Sequence, residues 1–122
     1  MSHRVVITGM GIYSCIGKNK EEVLRSLFEG KSGIGIAPDR KEMGYRSSLC
    51  GILEKPNLKG MLDRRQRLCL PEHGQYAFLA TTEALAQAGI DNEFLLNNEV
   101  GILYGNDSSA EAVITGVDVI RE

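Results

Sequence analysis

Residues 5–17, VVITGMGIYSCIG, decide how this chain is read. A β-branched apolar run over residues 4–8 stops at Gly9, and Gly11 and Gly17 follow. Such a run predicts a short, largely buried strand. The dinucleotide fingerprint Gly-x-Gly-x-x-Gly places its third glycine where helix packs on strand, with the helix N-terminus over the pyrophosphate. Counted from Gly9, that third place is Ser14, and the next glycine arrives only at Gly17. The first helix signal comes after Asn19, too far along for a tight strand-to-helix turn. Asp39, the one candidate for a ribose-binding carboxylate, follows Pro38 in a loop with no second strand expected before it. The turn also lacks the Gly-Lys-Ser/Thr of a P-loop. The nucleotide reading fits poorly.

Outward from this stretch, Asn19 followed by Glu22 has the capping-box pattern of a helix start. Val23, Leu24, Leu27 and Phe28 form one apolar stripe, and Gly30 stands where a left-handed C-terminal residue belongs. Residues 31–46 hold three glycines and Pro38 among charges and read as a surface excursion. Residues 47–53, SSLCGIL, read as a weak strand, with Gly51 against it. Asp63 to Gln66 opens a second helix. Pro71 blocks its continuation, because it lacks an N–H and clashes with the preceding turn. A long helix starts afresh at Pro71 and runs to Gly89, and its many alanines imply close packing against another element. A second buried strand is expected over residues 100–104, then a loop and a helix over 106–122 carrying Val113, Val117 and Ile120. The order predicts an α/β fold with a mostly parallel sheet. Only two strands are convincing, so residues 1–122 read as the opening part of a larger layered domain.

The chain has 122 residues, 43% hydrophobic and 25% charged, with no Trp. No run approaches the roughly 20 apolar residues of a membrane span, and no signal-peptide core is present. Cys15, Cys50 and Cys69 follow no metal spacing and read as reduced thiols, which implies a cytoplasmic protein. The net charge of −2 conceals an asymmetry: residues 40–71 carry 8 basic and 3 acidic groups, whereas residues 72–122 carry 1 and 9. A basic middle section offers a docking surface to an acidic partner; its plain alternative is a set of solvated turns.

The string RVVITGMGIYSCIGKNKEEVLRSLFEGKSGI, with LDRRQR, QYAFLATTEALAQAGI and EVGILYG in order behind it, resembles the N-terminus of the β-ketoacyl-acyl carrier protein synthases. These are the decarboxylating condensing enzymes of the thiolase-like superfamily. The resemblance implies the incomplete N-terminal part of a layered α/β/α fold. There the opening glycines pack backbone beneath the active site and bind no phosphate. It implies condensation of malonyl-carrier protein with an acyl thioester on a Cys nucleophile, assisted by two His, in fatty acid or polyketide-like synthesis. It implies acyl carrier protein as partner and a homodimer in the longer protein, with no cofactor, metal, nucleic acid or membrane. Cys15, Cys50, Cys69, His3 and His73 match none of the catalytic motifs, so no catalytic residue is expected here and residues 1–122 alone are expected to be inactive.

Two functional features remain. Arg64, Arg65 and Arg67 occupy a region where related synthases meet the carrier protein; Leu68 and Cys69 stand where the family often adds basic residues, which thins the patch. The alternative is ordinary exposed arginines at a helix start. Asn106, Asp107 and Ser108 fall where the family has a Gly-rich loop shaping the acyl pocket. A carboxylate beside an alkyl chain is costly unless paired, which points to a polar or short acyl group or a paralogue with altered chemistry. Alternatively Asp107 turns outward and caps the next helix with Ser108 or Ser109. Three readings stay open: the N-terminal part of a condensing enzyme, a non-catalytic ketosynthase-like partner subunit, and a small nucleotide-binding α/β protein.

Overall fold

The computed structural model describes residues 4–106. His3, Asp107, Ser108, Ser109 and most of the helix expected over 106–122 lie outside the described residues. Seven elements follow in order: α1 (Lys20–Phe28), β1 (Ile34–Ile36), α2 (Pro38–Glu42), β2 (Leu49–Gly51), α3 (Arg64–Cys69), α4 (Glu72–Ala88) and α5 (Asn92–Asn97).

Helix α1 starts as the sequence predicts. The Asn19 side chain accepts the Glu22 N–H at 2.9 Å, and Glu22 reaches back to the Lys18 N–H at 2.8 Å. The chain leaves the helix through Gly30 at φ +64°. The expected apolar stripe is split: Val23 is buried, while Leu24, Leu27 and Phe28 face solvent. The buried neighbour is instead Ser26, whose hydroxyl donates to the Ile16 carbonyl at 2.6 Å.

The excursion over residues 31–46 holds more order than its composition suggested. β1 pairs antiparallel with β2 in the register Ile34–Gly51, Gly35–Cys50 and Ile36–Leu49. Pro38 opens α2 between them. A strand therefore does precede Asp39, but it belongs to this antiparallel pair.

Helix α3 has a full capping box: Asp63 accepts the Gln66 N–H at 2.8 Å and Gln66 accepts the Asp63 N–H at 2.9 Å. Leu70 is extended, as the residue before a proline must be, and α4 begins anew after Pro71. α4 ends at Gly89, φ +68°, with the Ile90 N–H returned to the Leu85 carbonyl. The short α5, capped by Asp91 on Phe94 N–H, was not foreseen.

The opening glycines pack on α4. A Cβ added to Gly11 would stand 1.8 Å from the Ala80 carbonyl oxygen, and one on Gly9 would stand 2.1 Å from that of Ala84. Loop backbone and helix backbone touch because both sides lack bulk: glycine on one, alanine on the other. Side chains of α4 complete the junction. Glu83 accepts the N–H groups of Ile12 and Lys20, each at 2.8 Å, and Gln87 accepts that of Met10 at 2.7 Å.

The sheet expectation needs correction. Among the described residues the sheet is two-stranded and antiparallel, not mostly parallel. Residues 4–8 and 100–104 join no ladder. Their apolar side chains stand in solvent, with Val5 94% and Leu103 103% exposed. A strand needs a neighbour to take its backbone N–H and C=O groups, and neither segment has one among the described residues. Among the described residues the buried apolar core is correspondingly thin: Val23, Ala37 and Leu58.

Candidate functional site

Three parts of the molecule hold or adjoin the residues expected to form the site: the basic helix α3, the end of the described chain, and the ground between them. Arg64 and Arg65, in the first turn of α3, are exposed and form no ion pair among the described residues. Arg67 differs. It is half-buried, and its guanidinium donates to the Leu62 carbonyl, holding the turn that leads into the helix. Of the three expected docking residues, two are exposed and the third secures the fold. Leu68 and Cys69 lie exposed beyond them.

Behind α3 a polar brace fixes the start of α4. Gln75 donates to the Leu70 carbonyl at 3.1 Å, spanning the bend at Pro71. Tyr76 donates its hydroxyl to Glu72 at 2.6 Å, and Glu72 also faces Lys55 at 3.4 Å. The Tyr76 hydrogen bond, aided by the Lys55 charge, holds the Glu72 carboxyl below its ordinary range. Burial first, and Glu72 second, raise the Tyr76 phenol above its own. Tyr13 stacks on Tyr76 with ring centroids 5.3 Å apart and donates to the Glu54 carbonyl. Glu54 in turn binds Lys18 at 2.6 Å. The glycine loop, residues 52–55 and the start of α4 are thus one connected unit.

At the end of the described chain, Asn106 is exposed. Two residues earlier, the Tyr104 ring stacks on His73 with centroids 6.2 Å apart and planes 9° apart, and the Tyr104 hydroxyl donates to the His73 carbonyl at 3.3 Å. His73 therefore has a packing role. The Asp107 and Ser108 part of the expected acyl loop lies outside the described residues.

A cleft of about 490 Å³ was not foreseen. Tyr13, Cys15, Lys18, Arg25, Ser26 and Glu54 are among the residues lining it, whereas the α3 arginines are not. Cys15 also meets the hairpin: a Cβ on Gly33 would stand 2.7 Å from its sulfur, and one on Gly51 3.2 Å. All three cysteines are free thiols. Among the described residues no cluster of three His, Cys, Asp or Glu is placed to hold a metal ion, and no helix is long and apolar enough to cross a membrane.

The dinucleotide reading meets a physical obstacle. The Met10 and Ile12 amides that would face a pyrophosphate are taken by Gln87 and Glu83, and the Glu83 carboxylate would repel one.

The glycine loop seated on α4 and the basic helix ahead of it are parts of a condensing-enzyme domain: residues 2–119 match the beta-ketoacyl synthase N-terminal domain, and the chain belongs to that family. Membership implies a thiolase-like α/β fold. The chain is 40% identical over 119 residues to 3-oxoacyl-[acyl-carrier-protein] synthase 1 of Haemophilus influenzae, covering 97% of this chain and 29% of that protein. The same figures for identity and coverage hold over 120 residues for the Escherichia coli K12 protein of that name. It is 29% identical over 103 residues to 3-oxoacyl-[acyl-carrier-protein] synthase 2 of Staphylococcus aureus strain COL, covering 84% and 25%. The chain thus spans about 29% of the length of the first two relatives.

Proposed function

We propose that these residues are the N-terminal part of a β-ketoacyl-acyl carrier protein synthase acting in fatty acid synthesis. The match over residues 2–119, with 40% identity to two synthases, carries this reading. In the longer protein, residues 4–8 and 100–104 become strands of a mostly parallel sheet, and later strands cover their apolar faces. The nucleophilic Cys and its two His come from the rest of the protein, which is a cytoplasmic homodimer. The Cys takes an acyl group from its carrier. Decarboxylation of malonyl-carrier protein then supplies the carbanion that attacks the thioester, and oxyanion stabilisation comes from fixed donors.

The residues described here bind and position. Arg64 and Arg65 present two cations, unpaired among the described residues, to the acidic carrier protein, while the Asp63–Gln66 capping box and the Arg67–Leu62 bond fix their direction. By family likeness, Asn106, Asp107 and Ser108 are assigned to the loop that shapes the acyl pocket.

The test is an assay of the full-length protein with malonyl- and acyl-carrier protein, following carbon dioxide release and the β-ketoacyl product. Both are expected from the longer protein and neither from the 122-residue chain alone. Carrier binding without decarboxylation would replace this reading by the non-catalytic partner subunit.

A further inference from the structure

Residues 55–67 hold five cations, Lys55, Lys59, Arg64, Arg65 and Arg67, and one acidic residue, Asp63. Two of the cations are engaged within the fold: Lys55 faces Glu72 at 3.4 Å, and Arg67 donates to the Leu62 carbonyl. The Asp63 carboxylate is turned to the Gln66 N–H as the cap of α3. Lys59, Arg64 and Arg65 remain, each exposed and without an ion pair among the described residues. Beyond Arg67 the exposed side chains of α3 are Leu68 and Cys69, so the free positive charge of this stretch lies upstream of Arg67.

Lys59 is held close to α3 by its own turn. Leu58, 3% exposed, anchors it, and the Leu58 carbonyl accepts the N–H groups of both Met61 and Leu62 at 3.1 Å. Gly60 takes φ +88°, and the chain folds back so that Lys59 bridges to Leu62. The Lys59 main chain is fixed as well, its N–H donating to the Asn57 side chain at 3.1 Å. Arg67 then ties α3 to the Leu62 carbonyl at the far end of the same turn. Turn and helix form one piece that carries all three free cations.

We propose that Lys59 is the third cation of the carrier-docking surface, meeting the acidic face of acyl carrier protein together with Arg64 and Arg65. The proposal rests on the carrier-docking reading above and adds to it a residue outside α3. Three like charges carried on one small piece repel one another, and an acidic partner relieves that repulsion while attracting all three. Charges on an exposed face act mainly on the encounter of the two proteins, so the contribution of Lys59 depends on salt.

The experiment compares Lys59→Glu, Lys59→Gln and Arg65→Glu in the full-length protein. Lys41→Glu, at an exposed cation of α2 outside this stretch, controls for the change in overall charge. Affinity for acyl carrier protein is measured at low and high salt, and kcat/KM is taken with the acyl group on the carrier or on free pantetheine. Lys59→Glu is expected to weaken carrier binding by roughly three- to tenfold at low salt, and by less at high salt. Lys59→Gln should fall between that variant and the parent. Lys41→Glu should stay near the parent, and rates with pantetheine-borne substrate should not change in any Lys59 variant. The Lys59 bond to Asn57 is made by its backbone N–H, so both substitutions leave it in place. Lys59→Gln, which removes the charge without reversing it, carries the test even where the reversal disturbs the fold.

If Arg65→Glu weakens carrier binding while both Lys59 variants match the parent or Lys41→Glu, the role of Lys59 is overturned and the docking reading stands. A loss in the Lys59 variants that is equal with carrier-borne and pantetheine-borne substrate would overturn it too. If neither Arg65→Glu nor the Lys59 variants weaken binding at low salt, the docking reading fails, and the role of Lys59 with it.

Discussion

The carboxylate of Glu83 accepts the backbone N–H of Lys20 at 2.8 Å, so the middle of α4 holds the first residue of α1. Its other oxygen takes the N–H of Ile12 at the same distance. These two bonds hold the Glu83 carboxyl below its ordinary range, Lys20 first and Ile12 second. A carboxyl depressed on folding stabilises the fold above the unfolded value, and that stability is lost as pH falls through the folded value. Thermal stability is therefore expected to drop below about pH 4.5. Glu83→Gln should lower the midpoint at neutral pH by roughly 4–8 °C, the equivalent of about 1 kcal/mol. It should also flatten the acid limb without abolishing it, since Glu72 is depressed in the same direction. Melting curves across the acid range check both.

Gly11→Ala sets a methyl group against the Ala80 carbonyl, 1.8 Å from its oxygen. Backbone meets backbone there, and neither side has a rotamer to yield. A loss of about 1–3 kcal/mol or more is expected in chemical denaturation. The matched control is Gly101→Ala, where an added Cβ meets nothing within 4 Å. It should change stability by no more than about 1 kcal/mol.

Arg65→Glu in the full-length protein should weaken carrier-protein binding, and more so at low salt than at high salt, because the interaction lies on an exposed face. Arg67→Glu should instead lower thermal stability, since its guanidinium serves the Leu62 carbonyl. Titration calorimetry at two ionic strengths, with a melt of each variant, separates the two. Equal affinity of Arg65→Glu and parent at low salt would remove the patch.

Four tyrosines occur in the chain. Tyr76, desolvated and bonded to Glu72, should ionise later than an ordinary phenol. Spectrophotometric titration should therefore show a phenol that lags, and Tyr76→Phe should remove that step.

Val5, Ile7, Ile102 and Leu103 together present apolar groups to water that larger folds cover. The 122-residue chain alone is expected to self-associate as its concentration rises. Sedimentation velocity reads this directly; a freely monomeric species at high concentration would count against it.

Legibility followed distance along the chain. Asn19, Asp63, Pro71 and Gly89 act on atoms a few residues away, and each marked a boundary in the sequence as it does in the structure. The alanines of α4 announced a close neighbour, and that neighbour is the glycine loop. Of the hairpin, β2 was legible inside SSLCGIL, but its partner β1 was hidden, because the fit of the pair depends on Cys15 meeting Gly33 and Gly51 from another part of the chain. α5 had a local sign in Asp91, three residues before Phe94, that passed unread. For the site, charge alone exposed Arg64 and Arg65. It did not distinguish Arg67, whose role depends on a carbonyl, nor reveal the His73–Tyr104 stack, whose members are 31 residues apart.

The hairpin over Cys15 has a practical corollary. With Gly33 and Gly51 closed around it, that sulfur is sheltered, whereas Cys69 lies open at the end of α3, one helical turn beyond Arg65. A bulky maleimide fluorophore should therefore attach to Cys69 first, giving the native protein a reporter beside Arg64 and Arg65 without an engineered handle.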